Sequence, residues 1–236
     1  MGAFVYEADL LDRFGSTRGG VIHATGLANG PSPDELSARY VTEQRRVLDE
    51  IGDTPLSEIP SLAAWRRVFT GFGVKPTQYR NAAESLLRRL TKQGDIPSIS
   101  LLVDMANLVS IRHRVPVAVF DQTRVTGVTT VRFAGGDESF TDLGSDVETA
   151  PEPGEVIFVD DSGVVSARRW CWRQSVGSAA GPGTVEALMT IEGQHEGASE
   201  TVAAATDDLV ALLTEFQTGS ALAADRVGPG RPRFDF

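Results

Sequence analysis

The densest run of recognition-grade side chains is Arg168-Arg169-Trp170-Cys171-Trp172-Arg173-Gln174-Ser175, where three arginines and two tryptophans fall within six residues. Indole faces and guanidinium planes stack on one another and on flat ligands. Two readings follow: the rings plug a core while the arginines meet acids, or the segment is a wall that stacks a base or ligand. Cys171, the sole cysteine, lies between the two tryptophans, a setting that favours a packed thiol over a nucleophile. A second constellation is the set Ser100, Asp104, Asn107, Ser110 and Arg114, which shares one side of a helical run whose other positions include Leu101, Leu102, Met105, Leu108 and Val109. Polar groups on an apolar helix need partners, because each one buried unpaired costs about 1–3 kcal/mol. Those partners are another chain segment or a ligand. A third is Arg80, Glu84 and Arg88, stepping by four along one helix face as a charge ladder.

The chemistry these residues leave out is also informative. There is no nucleophile elbow, phosphate-cradling glycine loop or dinucleotide fingerprint. His23, His113 and His195 are scattered, and one cysteine excludes both an internal disulfide and a zinc site built on thiolate pairs. No metal and no cofactor are expected.

The elements that position these groups follow from periodicity. Gly20–Thr25 reads as a strand. A helix is expected from Ser32-Pro33-Asp34-Glu35, with a capping hydroxyl and proline at the first helical position, to Ile51. Further helices are expected over 61–70, 81–92, 100–113 and 199–217, and strands over 117–120, 128–133, 156–159 and 164–167. Residues 184–192 suit either a strand or a short helix. Helices followed by strands give an α+β domain. The expected organisation is a strand–helix segment over 1–56 packed on a main domain over 57–218, with a flexible, glycine- and arginine-rich tail over 219–236.

The chain has 236 residues, of which 41% are hydrophobic and 23% charged, so it can bury a core without covalent staples. Its net charge of −10 argues against nonspecific nucleic-acid binding. The charge is uneven, however: residues 1–56 carry −4, 57–132 carry +6 and 133–236 carry −12. The basic middle, including Arg66, Arg67, Arg88, Arg89 and Lys92, is either a solvated helix surface or a phosphate-facing patch. No apolar run spans a membrane, and the first residues lack the basic-then-apolar pattern of a signal peptide, so the expected compartment is the cytoplasm.

Residues 79–193 also carry an ordered series of motifs. These are Leu102-Val103-Asp104-Met105-Ala106-Asn107-Leu108-Val109-Ser110, Pro116-Val117-Ala118-Val119-Phe120-Asp121, Val125-Thr126-Gly127, Asp137-Glu138-Ser139-Phe140 with Leu143-Gly144, Gly154-Glu155-Val156, Asp160-Asp161, and Arg169–Ser175. In order and spacing the series resembles the B3/B4 domain, the tRNA-editing module of the bacterial phenylalanyl-tRNA synthetase β subunit, and more closely the freestanding B3/B4 proteins. The resemblance implies helices packed on a mainly antiparallel sheet or sandwich. It also implies hydrolysis of an amino acid wrongly esterified to tRNA, with the aminoacyl-tRNA 3′ end as partner. It assigns the pocket glutamate to Glu192 and the pocket framework to Asn107 and Asp121. Asn107, Glu192 and Arg173 are the expected catalytic set, and Arg80, Glu84, Asp121, Glu138, Trp170, Trp172 and Ser175 the expected substrate contacts. The chain departs from the synthetase pattern in two places. Ala118 stands where the synthetases have histidine, and Trp170-Cys171-Trp172-Arg173 replaces a glycine-rich loop, so tyrosine specificity does not transfer. Two other functions fit the same resemblance: a noncatalytic tRNA-binding or synthetase-associated module, and a small-molecule binding protein.

Overall fold

The structure, a computed structural model, describes residues 2–236. In chain order the elements are β1 (Ala3–Tyr6), α1 (Ala8–Arg13), β2 (Arg18–Thr25), α2 (Asp34–Ile51), α3 (Pro60–Gly71), α4 (Ala82–Gln93), α5 (Leu101–His113), β3 (Val117–Asp121), β4 (Val128–Phe133), β5 (Phe140–Thr141), β6 (Glu148–Thr149), β7 (Val156–Val159), β8 (Val165–Arg168), β9 (Arg173–Gln174), β10 (Glu186–Gly193), α6 (Ala198–Phe216), β11 (Ala221–Val227) and β12 (Arg233–Asp235). The architecture is α+β, as expected. One sheet has the order β12-β1-β4-β7-β8-β9, the second β11-β2-β10-β3, and β5 and β6 form a separate hairpin. Every pairing is antiparallel except β1 with β4.

Strand alternation divides the core into two layers. On the second sheet, Ile22, Ala24, Val119, Ala187, Met189 and Ile191 face the helices and join the buried side chains of α2, α4, α5 and α6. Their neighbours Val21, Phe120 and Leu188 point the other way, toward Phe4, Tyr6, Val131 and Phe158 of the first sheet, Trp170 of the turn between β8 and β9, and Trp65 and Phe69 of α3. Glu192 lies in phase with Leu188, so it too is directed between the sheets. Residues 1–56 share both layers, contributing Phe4, Tyr6 and Val21 to one and Leu36, Tyr40 and Val47 to the other.

Helix boundaries follow local chemistry. Pro60 starts α3 at a position that needs no N–H. At α4, Asn81 Oδ1 accepts from the Glu84 backbone N–H at 2.9 Å, and Gly94, at φ 83°, closes the other end in a left-handed conformation. At α2, by contrast, Pro33 occupies the N-cap itself, and Ser32 donates its hydroxyl to Asp104 Oδ2 at 2.5 Å rather than capping the helix. Of the two forms open to residues 184–192, the strand is the one that forms, over Glu186–Gly193. A further difference concerns the C-terminal segment. The segment expected to be a flexible tail, 219–236, forms β11 and β12, which pair with β2 and β1 and supply one edge of each sheet. Local composition pointed to disorder, but the long antiparallel ladder against β2 satisfies the backbone that composition left unassigned.

Candidate functional site

Between the two sheets, where α4 and α5 close one side, lies a cleft of about 320 Å³. Its walls are largely apolar (Ala118, Phe120, Phe158, Ala167 and Trp170), with Asn107, Thr190 and Glu192 among the polar groups. A concave apolar site with a few convergent polar groups is the usual form of a small-ligand pocket.

Glu192 is only 2% exposed. Its Oε1 accepts both from the Tyr6 hydroxyl at 2.6 Å and from Trp170 Nε1 at 2.8 Å. Oε2 has no hydrogen-bond partner among the described residues, and Glu192 is one of the residues lining the cleft. Burial raises the carboxyl to about 7, against the two hydrogen bonds, which pull it down. The approach of Tyr6 depends on Gly19, which sits opposite Glu192 in the β2–β10 ladder. A Cβ at that position would come within 2.7 Å of the Tyr6 hydroxyl oxygen. Burial and the Glu192 charge together hold the Tyr6 phenol protonated. The same two effects push up the thiol of Cys171, a cleft-lining residue, so it is not an activated nucleophile.

The turn joining β8 to β9 shapes one wall. Arg169 and Trp170 adopt left-handed φ values of 46° and 60°, a strain on the order of 1–3 kcal/mol per residue. It is held by the Trp170 N–H bond to the Val156 carbonyl at 2.5 Å and by packing of the indole edge-on to Trp65 and Phe14. Trp170 therefore turns inward as a core side chain that also reaches Glu192, while Trp172 and Arg173 turn toward the cleft. The arginines divide likewise. Arg168 makes a bidentate pair with Glu155 at 2.9 and 3.0 Å, and Arg169 reaches the same carboxylate at 2.7 Å. Arg173 remains at the mouth, 44% exposed, 3.4 Å from Asp142 and over the Trp172 ring. The core reading holds for Arg168–Trp170, whereas Trp172 and Arg173 line the cleft.

Of the ten residues expected at the site, Asn107, Glu192, Arg173, Trp170 and Trp172 line this cleft; Arg80, Glu84, Asp121, Glu138 and Ser175 do not. Arg80 and Glu84 border a separate depression, where Glu84 pairs with Arg66 at 2.6 Å and lies 3.5 Å from Arg80. Asp121 accepts from the Thr123 backbone and hydroxyl and from Thr184, tying the turn after β3 to the turn before β10 at one end of the strand pair. Glu138 closes its own loop through the N–H groups of Gly135 and Gly136 and a pair with Arg132, which together hold it down at about 2. Ser175 Oγ accepts from the Gly177 N–H. All three stabilise turns. The polar stripe on α5 splits in the same way. Asp104 takes hydrogen bonds from Ser32, Ser98 and the Ile99 N–H, Ser110 donates to the Val115 carbonyl, and Asn107 faces the cleft.

Sequence reasoning missed Tyr6, Thr190 and Ser85, and named Arg89 only as part of a basic patch, not at this cleft. Nothing local marks Tyr6. Thr190 follows from Glu192 by strand alternation, and Ser85 and Arg89 lie in the basic stretch but on a different helix face from the Arg80–Glu84–Arg88 ladder. No group of three or more histidine, cysteine or acidic side chains among the described residues is arranged to hold a metal ion, and no helix there is long and apolar enough to cross a membrane.

No curated protein matches the chain. Among solved structures, an N-terminal fragment of the phenylalanyl-tRNA synthetase β subunit from Pyrococcus horikoshii matches with a TM-score of 0.48 and 12% identity, covering 94% of this chain and 50% of the fragment. This chain therefore spans about half of that fragment. The family model described as B3/4 domain matches residues 64–217, which include the α4–α5 wall, the two-tryptophan turn and β10. On that match, which covers well over half of the sequence, the chain belongs to the B3/4 domain family.

Proposed function

We propose that the cleft hydrolyses the ester linking an amino acid to the 3′ end of a tRNA. The observation that carries this reading is Glu192: a nearly buried carboxyl lining an apolar cleft, raised to about 7, with one oxygen engaged by Tyr6 and Trp170 and the other without a hydrogen-bond partner. A carboxyl tuned to neutral pH suits general-base catalysis. In the proposed step Glu192 takes a proton from water as the water oxygen attacks the ester carbonyl carbon. The carbon–oxygen ester bond then breaks, and the ribose oxygen leaves with the proton, giving free amino acid and a free ribose hydroxyl. Arg173 at the mouth stabilises the developing oxyanion, and Asn107 orients the aminoacyl group. Phe120, Phe158 and Ala118 receive its side chain. No covalent intermediate is invoked, since Cys171 is held protonated.

A noncatalytic RNA-binding role is the second reading. It is favoured by the two donors on Glu192 Oε1, which also suit a purely structural carboxylate. Deacylation of a panel of mischarged tRNAs separates the two. The hydrolytic reading expects release that rises with pH to a plateau above about 7, and a loss on the order of 100-fold or more in Glu192→Gln. Unchanged activity in a Glu192→Gln/Asn107→Ala double variant overturns the site. RNA binding without hydrolysis of any ester favours the second reading.

A further inference from the structure

We infer that the exposed face of α4 is the track that holds the single-stranded 3′ end of the RNA, leading it from a second cleft to the mouth of the Glu192 pocket. The inference rests on the proposed reading of that pocket and adds the surface that presents the substrate.

Three depressions are joined end to end along α4. The Glu192 cleft includes Ser85 and Arg89. Both also line a shallow groove with Arg88 and Lys92. Arg80, Arg88 and Lys92 of that groove in turn border the depression reached by Arg66. Ser85, Arg88, Arg89 and Lys92 are all exposed. The protein has ten more acids than bases, and most of its arginines are paired with acids. Yet Arg88, Arg89 and Lys92 have no acidic partner among the described residues. Leaving three cations unpaired on one helix of an acidic protein provides a local positive strip, which a polyanion can use against an unfavourable overall charge. Glu84, the one acid of α4, is turned under the strip and neutralised by Arg66 and Arg80.

The geometry favours a single strand over a duplex. The strip is one helix wide and ends in a cleft of about 320 Å³, which admits an unpaired terminal residue and its ester but not a base pair. Half-buried Trp172 lines that cleft, with Arg169 and Arg173 over its ring.

The test measures binding separately from hydrolysis, by fluorescence anisotropy of the full chain with a labelled RNA hairpin carrying a short 3′ single-stranded overhang, against the same hairpin with a blunt end. The triple variant Arg88→Ala/Arg89→Ala/Lys92→Ala is compared with Arg226→Ala/Arg231→Ala/Arg233→Ala, which removes the same charge from the exposed C-terminal strands. The overhang should bind more tightly than the blunt end. The α4 variant should bind the overhang at least about tenfold more weakly, with the logarithmic salt slope reduced by about 2, as expected for three single-strand phosphate contacts. The C-terminal variant should stay within about twofold of the parent protein. The inference is overturned if both triple variants lose affinity equally, if the α4 variant keeps the parent affinity and slope, or if overhang and blunt hairpins bind alike. Tight, α4-dependent binding with no ester hydrolysis keeps this inference and removes the hydrolytic reading. Hydrolysis that the α4 variant leaves unaffected does the reverse.

Discussion

Replacing Glu192 by glutamine should make the protein more stable at pH 8 while removing the proposed activity. The carboxyl sits at about 7 in the folded chain against an ordinary value of 4.5. The native state therefore binds this proton more tightly than the unfolded chain does. The group favours the fold fully below about 4.5, and that contribution is lost as pH rises through about 7. A shift of about 2.5 units corresponds to about 3 kcal/mol at alkaline pH. Glutamine stays neutral throughout, and its Oε1 accepts the same bonds from Tyr6 and Trp170, so the variant avoids the cost of the buried charge. For a chain of this size about 3 kcal/mol is on the order of 10 °C in Tm. The assay is denaturant unfolding of both proteins between pH 4.5 and 8.5, read as the difference in stability so that common titrations cancel. The difference should be near zero at the acid end and grow through neutrality to its full value. A difference that does not change with pH, or a glutamine variant less stable at pH 8, refutes the assignment of a buried, uncompensated carboxyl. A gain in stability coupled to lost activity is the pattern expected where a site retains a costly group for chemistry.

Trp170→Phe removes one donor to Glu192 while keeping most of the packed ring. It should cost about 1–3 kcal/mol in urea unfolding and move the midpoint of the pH–activity profile upward, because the lost bond favours the ionised carboxylate. Asp104→Ala strips the acceptor used by Ser32, Ser98 and the Ile99 N–H at a fully buried position. It should destabilise by about 3 kcal/mol, measured by chemical denaturation, with catalytic constants unaltered at temperatures where the variant stays folded. Deleting 219–236 should lower Tm and promote association in size-exclusion chromatography, because it bares the paired edges of β1 and β2. Glu138→Gln should destabilise the protein at neutral pH, and the deficit against the parent should vanish as pH falls toward 2, since this carboxylate is held low by hydrogen bonds made to its charged form.

The expected elements, read from local chemistry alone, largely match the structure. Helix periodicity, glycine and proline boundaries and alternating strands place most elements within a few residues, because they depend on neighbours one to four positions away. The same locality explains the misplaced start of α2, where Ser32 finds Asp104, a residue far along the chain, a better partner than its own helix. It also explains the C-terminal segment, whose glycines and arginines look disordered until the ladder of β2 is there to meet them.

The site divides along the same line. Motif order drew attention to Asn107, Glu192, Arg173 and the two tryptophans, and these meet in one cleft. Asp121, Glu138 and Ser175 belong to the same motifs but spend their hydrogen bonds on turns, which no spacing rule distinguishes from ligand contacts. Which arginine of the Arg168–Arg173 run stays at the cleft mouth depended on where Glu155 lies across the sheet, since Glu155 takes Arg168 and Arg169. Residue type and order determined that a carboxylate, an amide and a guanidinium were candidates for one chemistry. Tertiary structure alone decided which oxygen of Glu192 is free and how far its proton affinity is raised, because both depend on burial and on donors from Tyr6 and Trp170, one of them 186 residues away.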